Sequence, residues 1–215
     1  MVVGRNTEKK FRFTLALDLD ATLVCCVTKE SLLAHGKLLR SDLVLHGGHD
    51  VVRPRPHLEE FLSRARRHYN VVVWTAASRN YAKEVVARFL PFLDIDNELF
   101  SEELCQVSQA TGKSVWCYDE FGNVTDRKRI RSGHKVLAVL AQELHIPESS
   151  IIIVDNLYSV AKENPGQSVR VKDYIALSND ALHDTELCAA WNYIQNHWGD
   201  GEIADVGSCF PQSLT

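Results

Sequence analysis

Two runs, VVVW at 71–74 and IIIV at 151–154, constrain the fold of this 215-residue chain more than any other feature. Each is apolar at every position, so neither can keep one face in water. That is the pattern of a strand covered on both sides. A third run, FRFTLAL at 11–17, alternates: Phe11, Phe13, Leu15 and Leu17 share one face and small or polar residues the other. Amphipathic segments separate the runs. HLEEFLSRARRHY carries Leu58, Phe61, Leu62 and Ala65; SRNYAKEVVARFL opens on a Ser cap and carries Tyr81, Val85, Val86 and Phe89; HKVLAVLAQELHI carries Leu137, Leu140 and Leu144. A last helix is expected over 182–197. Strands alternating with helices predict an α/β fold: a Rossmann-like three-layer sandwich around a central parallel sheet. Two β-rich pieces flank Gly47-Gly48 and predict a hairpin inserted after the first strand, at about 42–53. The polar stretch at about 105–131 exceeds an ordinary loop and predicts a second excursion, with a short hairpin at WCYDEFGNVT. Without repeats or a Gly/Ser-rich linker, a single domain over 1–215 is expected.

Composition narrows the function classes. A formal charge of −4 argues against stable nucleic-acid binding or an anionic-membrane binder. No apolar stretch approaches the roughly 20 residues that span a bilayer, and the start MVVGRNTEKKF lacks the pattern of a signal peptide. The six cysteines show no CxxC pair and no regular spacing, which points to reduced thiols and a cytoplasmic or nuclear location.

Chemistry is expected where the strands end. After LAL come Asp18 and Asp20, after VVVW comes Thr75, and after IIIV come Asp155 and Asn156. In an open parallel sheet the carboxyl ends of the strands form the ligand crevice. Each motif alone also fits a plainer role: a turn, a helix cap or the start of a loop. Their convergence, in order and each behind a buried strand, favours a site. Carboxylates two apart on an extended segment lie on one side about 7 Å from each other. They repel by about 2 kcal/mol at an effective dielectric of about 20. A hard divalent cation removes that repulsion, and Mg²⁺ takes one or two carboxylates together with waters and phosphate oxygens. The residues therefore predict a site for Mg²⁺ and a phosphate.

LDLDATLV, RPRPHLEEFL, VVVWTAASRNYAKEVVARFL, LFSEELC, GHKVLAVL and IIIVDNLYSVAKENPGQSVRV follow in the order of a known family. Over about 11–191 the chain resembles the haloacid-dehalogenase (HAD) superfamily, and within it the FCP/SCP small carboxyl-terminal-domain phosphatases (NLI-interacting-factor-like). The resemblance implies Asp18 as nucleophile through an aspartyl-phosphate and Asp20 as general acid and base. It implies Mg²⁺ held by Asp18, the Asp20 carbonyl, Asp155 and Asn156. Thr75, the amide of Ala76 and Lys135 would hold the phosphate, with Lys128 as the alternative lysine. Lys135 is expected at the start of a helix beginning near His134. The chain departs from the family pattern at Ala21, an outward position where Glu is usual, and at Leu157-Tyr158, where Ser-Pro is usual. DRKRIRSGHK fits either a solvated loop or a clamp for phosphate. The expected activity is Mg²⁺-dependent phosphomonoester hydrolysis on a serine/threonine phosphoprotein or phosphopeptide substrate. The alternatives are a small-molecule or nucleic-acid-end phosphatase, a non-catalytic binding module on this fold, and a phospho-accepting receiver.

Overall fold

The computed structural model describes residues 11–35, 38–105 and 135–199. Within them the elements are β1 (Thr14–Leu17), β2 (Val24–Thr28), α1 (Lys29–His35), β3 (Leu43–Val44), β4 (Asp50–Pro54), α2 (Leu58–His68), β5 (Asn70–Trp74), α3 (Arg79–Phe89), α4 (Ile95–Glu98), β6 (Leu99–Phe100), α5 (Leu137–Leu144), β7 (Ile151–Asp155), α6 (Tyr158–Glu163), β8 (Ser168–Arg170) and α7 (Glu186–Trp198). The main sheet has the order β6-β5-β1-β7-β8 and every pairing in it is parallel. Leu17 lies opposite both Val73 and Val154. The next residue on the central strand, Asp18, therefore emerges level with Asp155.

Both faces of the sheet are covered, as the doubly apolar runs require. Leu15, Leu17, Val71, Val73, Ile152 and Val154 pack beneath α2, α3 and α7. Ala16, Val72, Trp74 and Ile153 turn the other way, onto Leu137, Leu140 and Ala141 of α5 and Val160 of α6. Each fully buried aliphatic side chain contributes about 1.5–3 kcal/mol, which fixes the layers. The α2 stripe is the expected one, Leu58, Phe61, Leu62 and Ala65.

Three helix starts differ from expectation. Ser78 stands at the α3 N-cap with extended backbone, but its side chain makes no capping bond. The last helix begins at Glu186, after a separate 3₁₀ turn at Ala181–His183. The helix expected from near His134 begins at Leu137, and Val136 is extended. Asn164 is the reason: its Oδ1 accepts from Leu137 N–H at 3.0 Å and its Nδ2 donates to the Lys135 carbonyl at 2.7 Å. One buried amide caps the helix and holds the preceding residues outside it.

The expected hairpin is present as β3 and β4, with left-handed Gly47 and Gly48 in its turn. It is part of a larger antiparallel sheet, β2-β4-β3, flanked by α1. β2 was not expected from VCCVT because it buries only Val24 fully. Its pairing with β4, from Val24 opposite Pro54 to Thr28 opposite Asp50, makes it a strand.

Arg55 ties this insertion to the rest of the molecule. Its buried guanidinium makes two 2.8 Å bonds to Asp184 and donates to the carbonyls of Thr22 at 2.9 Å and Lys172 at 2.8 Å. Asp184→Ala would leave that cation buried without its carboxylate, a loss of about 3 kcal/mol at neutral pH. Burial alone would raise the Asp184 carboxyl, but the bonds from Arg55 and the Glu186 amide hold it below its ordinary value. A depressed carboxyl contributes stability above the ordinary carboxylate range and loses it as the pH falls through the folded value. Denaturant titrations of wild type and Asp184→Ala should therefore differ fully near pH 7, and the difference should begin to shrink only below about pH 4, as the pH falls toward the depressed folded value.

Candidate active site

The site is built on a tight reversal after β1. Asp18 N–H donates to Val154 O at 3.0 Å, which prolongs the β1–β7 pairing by one residue. The chain then turns back: Leu23 N–H and Val24 N–H both reach Leu19 O, at 2.8 and 3.0 Å, and Ala21 N–H reaches Val24 O at 2.8 Å. Ala21 sits in the left-handed region at φ 59°, a conformation that costs a non-glycine residue about 1–2 kcal/mol. The reversal returns Thr22 to Asp18, and the Thr22 hydroxyl donates to Asp18 Oδ2 at 2.8 Å.

Around Asp18 the contacts close into a network. Lys135 Nζ donates to Asp18 Oδ1 at 2.5 Å and to Asp155 Oδ2 at 2.7 Å. The other Asp155 oxygen accepts Leu157 N–H at 2.8 Å. Thr22 Oγ1 accepts Asn156 N–H at 3.1 Å and lies 3.1 Å from Asn156 Oδ1. The Asn156 amide is oriented from behind by its 3.0 Å donation to Asp173. Asp20 is half-buried at the rim, where the Tyr81 hydroxyl donates to its Oδ1.

Burial dominates the electrostatics. It would strip the proton from Lys135, but the two carboxylates outweigh it and hold the ammonium above its ordinary value. Burial, then the charge of Asp18, push the Asp155 carboxyl up to about 6 against the pull of Lys135. Asp20 is likewise pushed up to about 6, by burial first, with the Tyr81 bond opposing and the Asp18 charge adding. One ammonium thus serves two fully enclosed carboxylates and a third nearby, leaving excess negative charge. The oxygens of Asp18 and Asn156 converge on the Thr22 hydroxyl. A hard, oxygen-only donor set with unneutralised charge fits Mg²⁺. Among the described residues no group of three or more His, Cys, Asp or Glu side chains could hold a metal alone. The ion would also need the Asn156 amide, the Asp20 carbonyl and oxygens from outside the protein.

The sequence matches the family model described as NLI interacting factor-like phosphatase over residues 13–206. The chain belongs to this phosphatase family. It is 28% identical over 195 residues to CTD phosphatase-like protein 355R of Invertebrate iridescent virus 3, covering 85% of this chain and 93% of that protein. It is 25% identical over 183 residues to an RNA polymerase II C-terminal domain phosphatase of Homo sapiens, covering 80% of this chain and 16% of that one. The solved structure of Fcp1, an essential RNA polymerase II CTD phosphatase, is 18% identical with a TM-score of 0.49; the match covers 85% of this chain and half, 50%, of that one.

For this phosphatase the structure joins Asp18, Asp155 and Lys135 directly and Asn156 through Thr22. Asp20 stands apart at the rim. Thr75 directly follows β5, buried, and its hydroxyl accepts Ala77 N–H at 3.1 Å rather than meeting a carboxylate. Ala76 beside it is exposed. Lys135 precedes α5 instead of opening it, so its charge acts by direct contact and not through a helix end. Lys128, the DRKRIRSGHK segment before Lys135 and the WCYDEFGNVT hairpin lie outside the described residues. Among the described residues Cys25, Cys26, Cys105 and Cys188 are free thiols, and no helix is long and apolar enough to cross a membrane.

Sequence reasoning missed Tyr81, Asn164 and Asp173. Tyr81 was counted only as part of an apolar stripe, although a half-buried tyrosine hydroxyl needs a polar partner. Asn164 and Asp173 gave no local signal. Lys135→Met would leave Asp18 and Asp155 enclosed without their cation. It should lower stability in metal-free buffer by about 3 kcal/mol, measured by denaturant unfolding.

Proposed function

We propose that this chain is a Mg²⁺-dependent phosphomonoester hydrolase that works through an aspartyl-phosphate on Asp18 and acts on phosphoserine or phosphothreonine in proteins. The observation that carries the reading is the enclosed Asp18 carboxylate held between Thr22 and Lys135, with the half-buried Asp20 two residues away, its carboxyl raised toward neutrality by burial. In the first step an Asp18 oxygen attacks phosphorus in line as the bond to the leaving oxygen breaks, and Asp20 gives that oxygen its proton. In the second, Asp20 takes a proton from water as the water oxygen bonds to phosphorus and Asp18 is released. A carboxyl near 6 suits both directions of transfer at neutral pH.

The remaining residues position charge. Ala77 N–H already occupies a lone pair of the Thr75 hydroxyl, which leaves the Thr75 proton and the Ala76 amide for the phosphoryl oxygens. Lys135 offsets charge that builds beside Asp18. Mg²⁺, held by Asp18, the Asp20 carbonyl, Asp155 and Asn156, supplies the positive charge that this carboxylate-rich site lacks. A protein substrate is supported by the family and by relatives whose names describe phosphatases of the polymerase carboxyl-terminal domain. Free thiols favour a cytoplasmic or nuclear setting.

Hydrolysis of p-nitrophenyl phosphate should vanish with EDTA and return with Mg²⁺; full turnover in chelated, metal-free protein would sink the metal assignment. Preference for phosphopeptides over phosphorylated metabolites and 5′-phosphorylated oligonucleotides would support the protein substrate, and the opposite ranking would replace it. Asp18→Asn should abolish turnover with the fold retained. Asp20→Asn should still form phosphoenzyme from a good leaving group and accumulate it, seen by acid-quenched labelling. Lys135→Ala should lose at least about 100-fold in kcat, the scale of one preorganised donor.

A further inference from the structure

Asp20 presents two oxygens to a reaction that can use only one. A carboxyl group rotates about a broad, roughly two-fold torsion, so a rim aspartate must be pinned if its proton is to leave in a fixed direction. Tyr81 supplies the pin. It lies in the first turn of α3, half-buried, and its hydroxyl donates to Asp20 Oδ1. A phenol keeps its proton throughout the neutral range. The protonated oxygen of a carboxyl is a weaker acceptor than its carbonyl oxygen, so the phenol's hydrogen bond favours Oδ1 as the bare oxygen and places the acidic proton on Oδ2.

We infer that Tyr81 is a positioning residue for the general acid and base, fixing Oδ1 of Asp20 as acceptor so that proton transfer runs through Oδ2. The inference rests on the mechanism proposed above. In the first step the Oδ2 proton passes to the ester oxygen as the P–O bond breaks and the Asp18–P bond forms. In the second a water proton passes to Oδ2 as the water oxygen bonds to phosphorus and the Asp18–P bond breaks. Because α3 follows directly on the Thr75–Ala77 turn, the acid is aimed from the same segment that would receive the phosphate. Tyr81 itself touches neither the phosphate nor the leaving group.

The test is leaving-group dependence. Tyr81→Phe removes one oxygen and keeps the ring that packs on the core. Against p-nitrophenyl phosphate, whose leaving group needs little protonation, phosphoenzyme formation should stay within about threefold of wild type. Against phenyl phosphate and a phosphoserine peptide kcat should fall at least about tenfold, part of the 10²–10⁴-fold that general acid catalysis supplies. The substrate dissociation constant should be unchanged, and with p-nitrophenyl phosphate the phosphoenzyme should accumulate because water activation is also slowed. In the Asp20→Asn background the same substitution should cost less than about twofold, since it would act through a group already removed. An equal loss with every leaving group, a change confined to KM, no change at all, or full additivity with Asp20→Asn would each overturn the role of Tyr81. A wild-type enzyme that never carries label on Asp18 would overturn the mechanism beneath it, and that result is read before any Tyr81 variant is made.

Discussion

The rest of the site depends on one buried ammonium. Lys135 has 1% of its surface exposed and is bonded to both Asp18 and Asp155. Alone at that depth it would cost several kcal/mol. Two carboxylates one strand spacing apart, about 4.8 Å, would repel by about 3 kcal/mol at an effective dielectric of about 20. Neither half is tolerable without the other. The pairing therefore requires β1 and β7 to be neighbours with Leu17 opposite Val154, and it requires residue 135 to stay out of the helix that follows. Asn164 meets the second requirement by occupying the helix end and the Lys135 carbonyl together.

A second buried cation repeats the logic at the back of the same loop. Arg55 meets Asp184 and the Thr22 carbonyl, while the Thr22 side chain meets Asp18 and Asn156. Thr22 thus links the two charged centres, with its backbone to one and its hydroxyl to the other. Tyr174 reinforces the junction: its N–H donates to Ala21 O at 2.7 Å, and its ring lies under the Arg55 guanidinium at 5.4 Å. The strained left-handed backbone at Ala21 is held on both sides by these contacts, which is the condition under which such strain persists.

What could be read from the sequence follows from this. The sheet was legible because VVVW and IIIV have no polar face to expose. The strand-end residues Asp18, Asp20, Thr75, Asp155 and Asn156 stood out together because, although each alone fits a turn, a cap or a loop start, they fall in order behind three buried strands. Lys135 was legible as a residue but not in its geometry, since its placement outside α5 depends on Asn164, 29 residues further along. β2 was missed because VCCVT has little burial of its own and is stabilised by β4. Tyr81 was missed because helical periodicity records that a side chain faces inward and says nothing about where its hydroxyl ends. Contacts set by tertiary pairing rather than by local pattern account for each of these gaps.

The finished site has one part on the central sheet and another beyond it on the reversal. Asp18, Asp155 and Thr75 stand on or directly behind strands of the central sheet, where neighbouring strands and two apolar layers hold the backbone. In the proposed mechanism these are the groups for which a small displacement would be most damaging, because they would meet the phosphorus and its charge. Asp20 lies beyond the sheet on the reversal, half-buried, and its side chain is held by a phenol on a helix that belongs to another strand. In that mechanism the leaving oxygen and the later water would occupy the same side of phosphorus in turn, and one group would serve both. Under the proposal for Tyr81, a single hydrogen bond to Oδ1 would decide which oxygen of Asp20 acts in both steps.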